Sequence, residues 1–189
     1  MTMTVEGFYI DGTRAGTIVR HLADGRLRTV TSFEEPDGVR VHVEHCVLPV
    51  HDPFAWTEYF YVDHMEETRL SVRRVGTTIM EELGERSVAV SARAIPSYAE
   101  RLLLERLIRD GLDRVEYSRL DDAEPWGHAG DAVLELGEAE TIQLPDGTAR
   151  TCSSVERRVD GEVTARYWFD GSGVVKSDWM GAESYVEQA

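Results

Sequence analysis

The residue with the clearest chemical capacity is His45, which stands in an otherwise apolar row. Because side chains alternate between the two faces of a strand, the segment 39–47 places His45 on one face with four valines. An imidazole among valines can act as a general base or donate a hydrogen bond to a bound ligand. The alternative is a histidine that is satisfied by a partner inside the core. We predict His45 as a candidate catalytic residue.

Aromatic side chains form the second set of candidates. In the segment 56–63, Tyr59 and Tyr61 share one strand face and Phe60 lies on the other. Such rings can line a cavity for an apolar ligand, and tyrosine hydroxyls can orient a carbonyl, although core packing explains the same pattern. We predict Tyr61 as a second catalytic candidate. The predicted ligand-binding residues are Tyr59, Phe60, Tyr98, Trp126, Tyr167, Trp168, Phe169 and Trp179.

Metal-capable side chains do not form a recognisable ligand set in the sequence. His42 and Glu44 share one strand face, on the side opposite His45. Further candidates downstream are His51, Asp52, Asp63 and His64. Strand spacing allows two ligands on one face, but no established motif supplies a third. We therefore predict neither a metal nor a cofactor, and we interpret this face as solvated.

Several motifs of known chemistry are missing. The sequence contains no G-x-x-x-x-G-K loop, no G-x-G-x-x-G turn, no G-x-S-x-G elbow and no C-x-x-C pair. Nucleotide, nicotinamide and hydrolase-elbow functions therefore lose support. Cys152, Ser153 and Ser154 lie in a predicted strand without a recognisable base, so nucleophilic catalysis has no support either.

The net charge of the chain argues against polyanionic partners such as nucleic acid and anionic membranes. The chain has 20 basic and 35 acidic residues, and its formal net charge is −15. This charge repels phosphate backbones and anionic headgroups, so we expect neither nucleic acid nor membrane as a partner. The first residues do not resemble a secretory signal, and no apolar run approaches the roughly 20 residues of a membrane span. We expect a cytoplasmic protein with free cysteines.

Tight turns position these residues. Asp-Gly dipeptides favour the two consecutive positive φ angles of a type I′ hairpin turn. Such dipeptides begin at Asp11, Asp24, Asp37, Asp146, Asp160 and Asp170. The series predicts one hairpin after another. The segment 120–128 is the one long irregular stretch, and loops of this kind often rim a site.

One helix is predicted at about residues 97–110. Ser97 and Glu100 have the spacing of a capping box, and Gly111 suits the left-handed position after the last turn. The residues between them carry a broad apolar stripe that must pack on something apolar. We predict a mainly β fold, an antiparallel β-barrel or strongly curved half-barrel roll with this helix packed on its inner face. We expect one domain over residues 1–189.

Two segments carry a resemblance. They are FYIDGTRAG at 8–16 and RYWFDGSGVV at 166–175, with the Pro-Ser-initiated helix between them. In this order they resemble an uncharacterised bacterial family of curved β-rolls, similar to half-barrel lipoprotein carriers that hold acyl chains. The resemblance implies a concave sheet with an apolar interior and a helix as plug or lid. Those carriers bear signal peptides, whereas this chain shows none, and no catalytic residue transfers from them.

Three functions stay open at this point. The first is a cofactor-free cyclase or isomerase of specialised, natural-product metabolism, whose cavity folds an apolar substrate into its reactive shape. The second is a protein that binds a lipid or metabolite without catalysis. The third is an interaction module that uses its edge strands. Enzyme and binding protein require the same curved sheet, so the sequence does not separate them, and it does not indicate an oligomeric state.

Overall fold

The computed structural model describes residues 2–49, 52–127, 130–171 and 173–188. In these parts the chain forms sixteen β-strands: β1 Thr2–Ile10, β2 Thr13–Ala23, β3 Arg26–Glu34, β4 Arg40–Leu48, β5 Glu58–Asp63, β6 Thr68–Val75, β7 Thr78–Glu81, β8 Ser87–Ala89, β9 Ala94–Pro96, β10 Arg114–Leu120, β11 Gly130–Leu136, β12 Glu140–Gln143, β13 Ala149–Val159, β14 Glu162–Asp170, β15 Gly173–Asp178 and β16 Ala182–Gln188. A 3₁₀ turn at Ser97–Ala99 leads into one α-helix, α1 (Glu100–Asp110), and a second 3₁₀ turn spans Pro53–Ala55.

The strands form one large sheet that does not close. Its order is β8-β7-β6-β5-β4-β3-β2-β1-β16-β15-β14-β13-β11-β10-β9, and β12 pairs with β13 beside this path. Neighbours are antiparallel except for β9 and β10, the one parallel pair among the described strands. The end strands β8 and β9 do not pair with each other there. The predicted mainly β, curved fold is confirmed, as an open roll.

Side chains connect regions near the two ends of the strand order. The indole Nε1 of Trp56 donates to the carbonyl oxygen of Ala94 on β9 at 2.8 Å. Arg74 on β6 donates to the same oxygen at 3.0 Å and to the carbonyl of Ala92 at 2.9 Å. These hydrogen bonds satisfy backbone groups that strand pairing leaves open, and they hold β9 close to β6.

The hairpin turns follow the Asp-Gly signal. Asp11, Asp24 and Asp160 have φ angles of 48°, 51° and 52°, and the glycine after each also has a positive φ. These are the backbone angles of a type I′ turn, as predicted. At Asp37 and Asp146 only the following glycine has a positive φ, and at Asp170 neither residue of the dipeptide has one, so the type I′ prediction is wrong at these three turns. The sequence therefore identified these turns, although not every one of them has the same conformation.

The helical segment spans the predicted residues, but its N-terminal cap differs from the prediction. Ser97 makes no capping hydrogen bond to the helix backbone. Its hydroxyl donates instead to Asp122 Oδ2, which also accepts from the backbone N–H of Tyr98 at 3.1 Å. The capping box is therefore wrong, because a loop carboxylate caps the segment from outside. Gly111 has a φ of 62° and closes the helix as predicted.

The main core lies between α1 and the sheet. Leu103, Leu104 and Leu107 on α1 are at most 1% exposed and pack with core residues of the strands. Burying one such side chain fully contributes about 1.5–3 kcal/mol to stability. A second, smaller cluster contains Ile142, Cys152, Trp168 and Val175. In the described part of the chain, no helix combines the length and apolar character needed to cross a membrane.

Candidate functional site

A cleft of about 420 Å³ lies between the start of α1 and the sheet. Ligand pockets in proteins typically enclose about 300–1,000 Å³, so this cleft has room for a small molecule. Its apolar lining consists of Phe8, Ile18, Phe33, Leu104, Trp179 and Ala182. These residues come from β1, β2, β3, α1, the turn before β16 and β16 itself. The cleft is thus built by hairpins that are far apart in the sequence.

Aromatic rings form a continuous wall of the cleft. The ring centroids of Phe8 and Phe33 are 4.8 Å apart, and those of Phe8 and Trp179 are 6.3 Å apart. Tyr167 meets Trp179 edge to face at 6.5 Å. These separations lie within the range in which aromatic pairs attract each other. The wall therefore offers fixed apolar surface to a ligand.

A buried ion pair between Glu6 and Arg20 lies behind this aromatic wall. Glu6 on β1 is 1% exposed, and its Oε1 lies 2.8 Å from Arg20 Nε and 3.6 Å from Arg101 Nη1. The Ser184 hydroxyl donates to its other oxygen at 2.7 Å. Burial alone would raise the pKa of Glu6, but the two guanidinium groups and these hydrogen bonds outweigh it, so the pKa is lowered. Glu6 is therefore ionised at neutral pH.

Glu100, the first residue of α1, is the centre of a second buried network. Tyr117 donates to its Oε2 at 2.5 Å, and the Tyr167 hydroxyl donates to its Oε1. Arg157 Nη1 lies 3.3 Å from both oxygens. Burial and the neighbouring carboxylate raise the pKa of both tyrosines, so both hydroxyls stay protonated as donors. This network anchors the start of α1 to the sheet.

His45 lies behind the cleft, not in its lining. His45 is 1% exposed, and its Nε2 lies 3.0 Å from Asp122 Oδ1. That contact lacks the direction of a hydrogen bond, and both ring nitrogens are without a hydrogen-bond partner among the described residues. The Tyr98 ring, which lines the cleft, stacks on the imidazole at 5.1 Å. The Tyr98 ring therefore lies between His45 and the cleft.

Ser97, Asp122 and His45 do not form a nucleophilic triad. In such a triad the serine hydroxyl donates to the histidine, which removes its proton. Here the Ser97 hydroxyl donates to Asp122, and the carboxylate stands between the other two residues. The arrangement joins α1 to the loop after β10. It does not activate the serine.

The other predicted site residues are spread over the sheet. Tyr98, Tyr167 and Trp179 line the cleft. Tyr59 is fully buried, and its hydroxyl donates to the Asp122 carbonyl at 3.2 Å. Partly buried against the main core are Tyr61, Trp126 and Phe169. Phe60 is exposed, and Trp168 belongs to the smaller cluster.

The roles predicted for these residues remain predictions. Burial and the nearby Asp63 raise the pKa of Tyr61 to about 12, so its hydroxyl is a neutral donor at physiological pH. The charged residues of the cleft were missed by the sequence analysis. A signal was present for the buried carboxylates, because Glu6 shares a strand face with Phe8, and Glu100 shares a helix face with Leu103 and Leu104.

The opposite face of β4 carries a partly exposed group of polar side chains. Glu44 Oε1 lies 3.7 Å from His42 Nε2 and 3.4 Å from His64 Nε2. The three candidate ligand atoms lie within 4.8 Å of one another, so the structure supplies the third residue that the sequence did not fix. Arg28 already pairs with Glu44 Oε2 at 2.5 Å. We assign no function to this group, and His51 lies outside the described residues.

Comparison with known proteins relates the fold to a bacterial neighbour. No family model matches the sequence, and no curated protein matches it either. Among solved structures, a β-barrel-like protein of the domain of unknown function DUF1849 from Brucella abortus aligns with a TM-score of 0.60. The alignment covers 98% of this chain and 95% of that chain at 10% sequence identity. The chain therefore has a β-barrel-like fold that also occurs in a bacterial protein of unknown function.

Proposed function

We propose that the protein binds a small molecule with an apolar body in the cleft between α1 and the sheet. The observation that carries this proposal is the aromatic wall of Phe8, Phe33 and Trp179 around a space of about 420 Å³. An interior filled by its own side chains would leave no such space. The comparison shows a bacterial β-barrel-like fold of unknown function, so the predicted likeness to half-barrel carriers of acyl chains stays a prediction.

Binding without catalysis is the better-supported form of this function. Two cleft residues that could transfer a proton, Tyr167 and Glu100, are already engaged, since Tyr167 donates to Glu100 and Glu100 also accepts from Tyr117 and Arg157. The predicted base His45 lies behind Tyr98. A shape-driven cyclase or isomerase needs no such base and stays the alternative. The net charge of −15 supports a small molecule over nucleic acid.

A titration with N-phenyl-1-naphthylamine, a neutral dye that fluoresces in apolar surroundings, tests the proposal. We expect a saturable rise in fluorescence with one dye per chain. Ala182→Phe places a ring in the cleft and should weaken binding strongly. Ala149→Phe makes the same change at an exposed strand position and serves as the matched control. No saturable signal, or equal affinity in both variants, would refute binding in this cleft.

A further inference from the structure

We infer that the ligand of this cleft carries an anionic head group, a carboxylate or phosphate, and that Arg119 binds it. The inference rests on the proposed function, because it names the chemical class of the ligand in the same cleft. The charges that line the cleft differ in sign from the charge of the whole chain.

The cleft is a positive site in an acidic protein. Four arginines and one glutamate line it: Arg20, Arg101, Arg119, Arg157 and Glu100. Glu6 stands behind them and pairs with Arg20. Positive charges in this group exceed negative ones by two, or by one if Glu105, which contacts Arg101 at 3.2 Å, is included. The whole chain carries −15, so the excess is local to the cleft.

The arginines differ in how fully they are paired. Arg157 donates to both oxygens of Glu100, and it also donates to the hydroxyl and the carbonyl of Thr164 at 2.9 and 3.0 Å. Arg20 holds Glu6 at 2.8 Å. Each of these two guanidinium groups is paired with a buried carboxylate, so the excess positive charge of the cleft is left on Arg101 and Arg119.

Arg119 is the arginine without such a partner. Its Nε is buried and has no hydrogen-bond partner among the described residues. Glu100 Oε2 lies 4.0 Å from this nitrogen, beyond hydrogen-bond distance, and already accepts from Tyr117. A buried donor without an acceptor is unfavourable, and an anionic ligand oxygen would satisfy it. The Nε atom is buried, but the side chain as a whole is 39% exposed and lines the cleft, so a ligand can contact the guanidinium group there.

Arg101 provides a second, loosely paired charge. Its Nη1 is 3.6 Å from Glu6 Oε1, and its Nε contacts Glu105, whose side chain is 45% exposed. The apolar wall of Phe8, Phe33 and Trp179 belongs to the same cleft. A molecule that fits both features has an apolar body and one acidic end. Arginine binds carboxylate and phosphate by the same paired N–H donors, so the structure does not separate these two groups.

Competition against the bound dye tests the inference with ligands that share one chain length. Decanoate, decyl phosphate and decan-1-ol are compared at pH 8, below their micelle concentrations. We expect at least one acid to displace the dye at about tenfold lower concentration than the alcohol, the advantage of one charged hydrogen bond. The stronger of the two acids identifies the head group.

Arg119→Gln should remove this preference for the acid and leave displacement by decan-1-ol unchanged. Arg114→Gln, the same change on β10 at a position outside the cleft lining, is the matched control and should keep the preference. Arg101→Gln is the second test if the Arg119 variant does not fold, and it should reduce the preference. A preference that survives in the Arg119 variant would overturn the assignment of Arg119.

The outcomes separate the two proposals. Equal displacement by the acids and the alcohol in the unmodified protein overturns the anionic head group but leaves the binding of an apolar molecule intact. A protein that does not bind the dye and binds none of the three ligands loses both proposals. Binding of the acids, measured directly by calorimetry, without binding of the dye or of decan-1-ol supports the anionic site and contradicts the apolar contribution to binding.

Discussion

Tyr98 stacks on His45 with ring centroids 5.1 Å apart and an angle of 24° between the ring planes. One face of Tyr98 thus covers the buried imidazole, while the residue also lines the cleft. Asp122 connects both residues, since it accepts from the Tyr98 backbone and lies 3.0 Å from His45 Nε2. Asp122 therefore forms a polar contact inside the apolar core. This contact joins the start of the helical segment, the loop after β10 and strand β4.

This contact predicts the behaviour of His45→Ala. The change leaves a cavity under Tyr98 and removes a close neighbour of Asp122, so we expect a loss of stability of about 2–4 kcal/mol. Dye affinity should change only modestly, because His45 does not line the cleft. Chemical denaturation and dye titration measure the two effects. Lost binding with unchanged stability would show that His45 contacts the ligand directly.

The capping carboxylate gives a second prediction. Asp122→Ala removes the acceptor for two donors of the helical segment, whereas Ser97→Ala removes only one hydroxyl. We expect Asp122→Ala to lower the free energy of unfolding by about 1–2 kcal/mol. Ser97→Ala should lower it by less. The double variant should cost less than the sum, because both changes affect one contact. Additive effects in denaturation would contradict a shared cap.

The buried Glu6 predicts acid sensitivity. Its pKa is lowered from 4.5 in the folded protein. A lowered folded pKa stabilises the protein fully above the unfolded pKa, and this stabilisation is lost as the pH falls through the folded pKa. Unfolding free energy should therefore fall as the pH decreases below about 4.5.

Comparing Glu6→Gln with the unmodified protein isolates this contribution. The variant should be less stable at pH 7, since Arg20 and Arg101 lose a charged partner, and its pH dependence below 4.5 should be shallower. Glu162→Gln, at an exposed position on β14, is the matched control and should follow the unmodified protein. Parallel stability curves for all three proteins would contradict the assignment.

Gly111 gives a prediction about the helix end. Its φ is 62°, and an added Cβ would meet open space, so only backbone strain opposes a side chain here. Gly111→Ala should cost about 1–2 kcal/mol, and Gly111→Asn should cost less, because asparagine tolerates the left-handed region better. Denaturation midpoints compare the two. Equal and negligible effects would place the end of α1 elsewhere.

Local features of the fold were predictable because their causes are local. Asp11-Gly12 and Asp160-Gly161 contain their own turn preference, and Gly111 marks the end of α1 in the sequence. The place of His45 on an apolar strand face followed from the valines of that face, but the sequence left open whether this face lined a cavity or filled the core. The prediction failed at Ser97, because the carboxylate that caps the segment belongs to Asp122, 25 residues away along the chain. Local spacing contains no information about such a partner.

The candidate site was less predictable for the same reason. Arg20, Arg101, Arg119 and Arg157 come from β2, α1, β10 and β13, and only the sheet order brings them to one cleft. The aromatic prediction identified Tyr98, Tyr167 and Trp179 in the lining, but it also included Phe60, which is exposed. Strand alternation separates the two faces of one strand. It does not reveal which distant strands enclose a space.

The most direct test of the central claim is a crystal structure of the protein with N-phenyl-1-naphthylamine at stoichiometric concentration. We predict the dye in the cleft, with its rings against Phe8, Phe33 and Trp179 and with α1 in place beside it. A cleft filled by the protein's own side chains, with the dye absent or bound elsewhere, would contradict the account.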